Sequence, residues 1–99
     1  MFERQIYSTD FGFIDYSYEN NLLILHGAFV DKEFRNHGIF KEMLKGLFYS
    51  FPEGTKVQTA VKNKNLIPMF EKLRFKRVKK IEYWGSPSNC VLFEGVIKY

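Results

Sequence analysis

The chain has 99 residues, 45% of them hydrophobic and 18% aromatic, with 15 basic and 11 acidic side chains for a formal charge of +4. A chain this short holds a single core that buries roughly 65% of its unfolded surface, and 11 Phe and 6 Tyr supply much of the area, so a disordered chain is excluded and one domain over residues 1–99 is expected. One cysteine, Cys90, leaves no intrachain disulfide or Cys-x-x-Cys site, so no metal and a reducing, cytoplasmic setting are expected, while a charged N-terminus and a longest aliphatic run of only residues 22–25 predict no signal peptide and no membrane span.

In chain order, residues 2–7, "FERQIY", read as an edge strand. "FGFIDYSY" (11–18) alternates loosely and "LLILHGAFV" (22–30) is almost continuously apolar, with "ENN" between them, which predicts a hairpin whose second strand lies inside the sheet. From Phe34 the period changes: Ile39, Phe40, Met43, Leu44, Leu47 and Phe48 recur at spacings of three and four, an amphipathic helix ending near "SFPEG". "KVQTAV" (56–61) is a short strand. In "NKNLIPMFEKLRF", Leu66, Met69, Phe70 and Leu73 share a helical face, and Pro68 is tolerated if the helix starts near Asn65. "FKRVKKIEYW" and "NCVLFEGVIKY" read as two final strands joined by the turn-rich "GSPS". The basic residues are spread along the chain as a solvated face, except in "KLRFKRVKK" (72–80), which is dense enough to form a patch.

"FRNHGIF" (34–40) lies between a strand and a helix. The first N–H groups of a helix have no internal partner and carry the positive end of its dipole, a glycine at 38 lets an anion approach the backbone, and Arg35 adds a charge-assisted contact. Alone, an arginine three residues before a glycine fits an ordinary helix start equally well.

"VDKEFRNHGIFKEMLKGL" resembles the signature V-x-P-E-Y-R-G-K-G-I-G-x-x-L-L of the GNAT superfamily of N-acetyltransferases, and "NKNLIPMFEKLRF" resembles that family's N-x-x-A-I-P-L-Y-E-K-L-G-F, in the same order and at a matching spacing. The resemblance covers residues 11–99 and implies an α/β (α+β) fold: a GNAT-like mixed central sheet of about six to seven strands with two main helices, without the N-terminal strand and helices of the full-length fold. It implies a cleft for acetyl-coenzyme A between two splayed parallel strands. Backbone atoms of Phe29 and Val30 would hold pantetheine, while Arg35, Asn36, His37, Gly38, Ile39 and Phe40 would wrap the pyrophosphate. Asn63 and the following helix, with Phe70, would flank the arm.

The chain departs from the pattern in four places. Phe40 replaces a small residue and is expected to turn into the core with Met43, Leu44 and Leu47. Arg74 replaces the glycine that ends the second helix. Phe70 replaces the tyrosine that often protonates the departing thiolate, with Tyr83, Tyr99 or Cys90 as possible substitutes, although a thiol of pKa ~8.5 leaves reasonably well unaided. The glutamate often found on the strand before the loop is absent. His26 is the candidate base there, on the reasoning that residues 24, 26, 28 and 30 alternate onto one face, with Asp15 and Glu19 as further candidates.

The expected function is therefore acetyl-CoA-dependent transfer to a primary amine, on a protein or other macromolecule. The alternative is a weakly active or inactive GNAT-fold protein that binds CoA or serves as a protein or nucleic-acid interaction module. Exposed rings at Phe11, Phe13, Tyr16 and Tyr18 and an uncovered edge at residues 2–7 predict a homodimer or docking of a macromolecular acceptor.

Overall fold

The computed structural model describes residues 3–82, 85 and 88–98. Six strands, β1 (Arg4–Thr9), β2 (Gly12–Glu19), β3 (Leu22–Val30), β4 (Lys56–Val61), β5 (Lys76–Val78) and β6 (Val91–Val96), form one mixed sheet in the order β1-β2-β3-β4-β6-β5. Two helices, α1 (Ile39–Phe48) and α2 (Ile67–Lys72), complete the expected order of elements.

The β2–β3 hairpin turns on Asn20 and Asn21, both left-handed (φ 50° and 65°), the conformation a two-residue turn needs to match strand twist. The same turn anchors β4: the carbonyl of Asn21 accepts from the Lys56 amide at 3.1 Å. β3 lies between β2 and β4, as its apolar run predicts, and pairs in parallel with β4. Pro68 sits in the first turn of α2, where its missing N–H costs nothing, after a short 3-10 turn at Lys64–Leu66.

Met43, Leu44 and Leu47 of α1 and Phe70 of α2 pack on Leu23, Leu25, Val57 and Phe93 of the sheet, all buried. Phe70 stacks on Phe93 with ring centroids 5.5 Å apart. On the opposite face, the segment after β5 folds back so that Ile81 is buried and the Glu82 amide donates to Oε1 of Gln58 at 2.9 Å.

Three expectations are corrected. The strand expected from "FKRVKKIEYW" is only Lys76–Val78, because the chain then turns to lay Ile81 over the sheet and bridge it to Gly85. Tyr16 and Tyr18 are not exposed rings. They pack against the core and against Phe51, at 6.0 and 4.6 Å, whereas Phe11 and Phe13 are exposed. Finally, residues 24, 26, 28 and 30 do not share a face. Asp15 pairs with Gly27 and Tyr16 with Leu25, so His26 is the extra residue of a β-bulge. An extra residue reverses the alternation: Leu23 and Leu25 face the helices before it, and Val30 packs against the core after it.

Candidate active site

β3 and β4 pair only from Leu22–Lys56 to Leu25–Thr59, and beyond that point the two strands diverge. Thr59, buried in the fork, donates its hydroxyl to the Leu25 carbonyl at 3.1 Å and so satisfies an acceptor that the separating strand would otherwise leave behind. Between the diverging ends lies a cavity of about 1070 Å³, walled by the end of β3, residues 34–41, the end of β4 and the start of α2. Its size matches the upper end of small-molecule sites, about 300–1,000 Å³.

The loop between β3 and α1 is shaped by left-handed residues. Asn36 (φ 67°) and Gly38 (φ 75°, the N-cap of α1) fold the chain so that the first turn of α1 opens on the cavity. No side chain caps this helix, and a Cβ at Gly38 would meet nothing within 4 Å, so the backbone there is open to a ligand. Arg35 folds back along β3. Its Nε donates to the Val30 carbonyl at 2.8 Å and its guanidinium lies 5.3 Å from the Phe29 ring centroid, which fixes one side of the group at the mouth of the cavity. Among the described residues Arg35, Lys41, Lys62 and Lys72 line this cavity and no carboxylate does, a donor set suited to a phosphorylated anion.

Phe29, Val30, Arg35, Asn36, Gly38, Ile39, Phe40, Asn63 and Phe70 all line the cavity; His37 is exposed and does not. The ring of Phe29 lies on the face away from the helices, stacked on Phe13 at 5.8 Å. Phe40 is half-buried and meets Phe70 edge-on at 6.5 Å, packing on the core while also forming cavity wall. The Asn63 side chain accepts from the Asn65 amide at 3.0 Å and so shapes the turn into α2. Tyr83 and Tyr99, named as candidate acids, lie outside the described residues.

His26 lines the same cavity from the bulge. Its Nε2 is 2.7 Å from Oγ of Ser17, a fully buried residue of β2. On the same strip, Arg4 bridges the carboxylate of Asp15, with Nε 3.2 Å from Oδ1. Burial, and then the charge of Arg4, lower the His26 pKa below its ordinary 6.5 against the opposing effect of Asp15. Neither Ser17 nor Thr59 was legible as part of a site. Each becomes so only through the cross-strand register, Ser17 by facing His26 across the β2–β3 pair and Thr59 through the fork.

No protein-family model matches the sequence, and no curated protein is similar to it in sequence. Solved structures do match in fold. Ard1 of Thermoplasma volcanium superposes with a TM-score of 0.65 at 17% identity over 90% of this chain and 64% of its own. The ribosomal-protein-S18-alanine N-acetyltransferase of Escherichia coli gives 0.69 at 16% identity, over 90% and 63%. The PaiA N-acetyltransferase of Thermoplasma acidophilum, solved in complex with coenzyme A, gives 0.60 at 16% identity, over 88% and 54%. The chain thus spans a little under two thirds of the first two and about half of the third. It has the GNAT acetyltransferase fold, a mixed six-stranded sheet with two helices.

Proposed function

We propose that the protein is an acetyl-CoA-dependent N-acetyltransferase acting on a primary amine of a protein or other macromolecule. The observation that carries this reading is the fork between β3 and β4, which opens into a basic, carboxylate-free cavity beside the uncapped N-terminus of α1. When bound, acetyl-CoA supplies an acetyl thioester. Residues 35–40 would hold its pyrophosphate through backbone N–H groups and Arg35, and the end of β3 and the start of α2 would flank its pantetheine arm. A β3 amide near Val30 would be the donor to the thioester carbonyl oxygen. His26, kept neutral near pH 7 by burial, accepts the amine proton through water. Phe70 offers no phenolic proton, and the chemistry would not require one, because a thiol of pKa ~8.5 is a competent leaving group.

Calorimetric titration with acetyl-CoA, followed by thiol release over a panel of peptides and small amines, tests the proposal. Arg35→Glu is expected to weaken acetyl-CoA by ~2 kcal/mol, about 30-fold, because repulsion replaces a charge-assisted contact. Unchanged affinity in a folded variant would overturn the placement. Binding without thiol release on any amine would overturn the enzymatic part of the proposal.

A further inference from the structure

We propose that a second cavity, separate from the fork, docks an acidic protein segment carrying an apolar side chain. It measures about 810 Å³ and lies where the C-terminal turns of α1 and α2 meet the end of β6. Its floor is apolar: Phe48 and Phe75 stack there at 6.4 Å, with Leu73 and Ile97 beside them. Its rim is basic, with Lys45, Lys72, Arg74, Lys76 and Lys98. Among the described residues the single carboxylate in the lining, Glu94, is held by the Gln58 amide at 2.6 Å. Tyr49, which also lines the cavity, is 73% exposed and leaves apolar surface open.

Two features set this rim apart from an ordinary solvated face. Lys45 and Lys72 lie in the last turns of their helices, where they complement the helix dipoles, but Arg74, Lys76 and Lys98 lie beyond the helices and have no such role. Arg74 is also held in the left-handed region (φ 66°), at the position after a helix end where glycine is the unstrained choice. The chain thus places an arginine, at a backbone cost, on the rim of a basic cavity.

The chemistry selects the partner. A nucleic-acid duplex would use the basic side chains and leave the floor uncovered, and a single strand would need a free ring face to stack on, which Phe75, buried and stacked on Phe48, does not offer, whereas a peptide with one aromatic or aliphatic side chain between acidic residues satisfies both floor and rim. Lys72, Arg74 and Lys76 of the dense basic run at residues 72–80 line this groove, and of the run only Lys72 lines the fork.

The test is fluorescence anisotropy with a labelled peptide bearing one Phe flanked by Asp and Glu. The controls are its Ser-substituted counterpart and an oligothymidylate. Arg74→Gly is expected to weaken peptide binding about threefold to fivefold while leaving the thermal midpoint equal or higher, because it removes the strain with the charge. Lys76→Glu with Lys98→Glu is expected to weaken it about tenfold or more. Arg35→Glu, in the fork, is expected to leave peptide affinity unchanged, which separates this proposal from the acetyl-CoA site. Absence of peptide binding, indifference to the groove variants, or tighter binding of the oligonucleotide would overturn the proposal.

Discussion

Phe70 stands where the family resemblance places a tyrosine, and its setting explains why a ring without a hydroxyl is stable there. It is 2% exposed and packs on Phe75 and Phe93, both at 5.5 Å, with Phe40 edge-on beside it. The residue nevertheless borders the cleft, so a phenol at this position has the cleft as its outlet. Phe70→Tyr is predicted to raise turnover roughly tenfold or more with acetyl-CoA affinity unchanged, read from thiol release and calorimetry together. His26 carries a pH signature. Its proton is bound less tightly in the folded chain than at its ordinary 6.5, so between the lowered value and 6.5 the unfolded chain holds the extra proton. The stability tied to neutral His26 is complete above about pH 6.5, falls as pH drops through that window and levels off below the folded-state value. His26→Gln is predicted to flatten the dependence of urea-unfolding free energy on pH across this window; an unchanged slope would show that another group sets it.

The β-bulge in β3 is the element on which the site turns. The bulge falls at His26, where β3 parts from β4, and because of it the end of β3 switches faces at the fork. That switch was not legible in the sequence, because a bulge is a count of two residues against one across neighbouring strands and no single strand records it. What could be read was local: the apolar run that puts β3 inside the sheet, the strand at Lys56–Val61, and a helix start that accommodates Pro68. The extent of β5 was hidden for a similar reason, since Ile81 is drawn out of the strand by burial on the far face. The β6–α2 junction gives a test at the same scale. A Cβ added at Gly95 would collide with the ring of Phe75, which is buried. Gly95→Ala is therefore predicted to cost about 1–3 kcal/mol in urea unfolding. A neutral substitution would show that the ring has room to shift.

Across the whole molecule, charge is segregated. The two cavities gather eight of the 15 basic side chains and one of the 11 carboxylates, so the remaining surface is net negative although the chain is net positive. Lys72, on the last turn of α2, lines both cavities, which makes that short helix the wall between them. A cofactor anion at the fork and an acidic segment at the groove would be attracted to the same side of the charge balance yet meet different floors. The aromatic residues divide similarly: Phe70, Phe75 and Phe93 hold the helices to the sheet, while Phe13 and Phe29 remain on the face away from the helices. The central claim is that the fork between β3 and β4 is the acetyl-CoA site. The most direct measurement is a titration of the isotope-labelled protein with acetyl-CoA, followed by amide NMR. Saturable shifts confined to residues 26–41 and 59–72, with Arg74, Val96 and Lys98 unmoved, are predicted. Shifts centred on the groove instead, or none at millimolar acetyl-CoA, would contradict it.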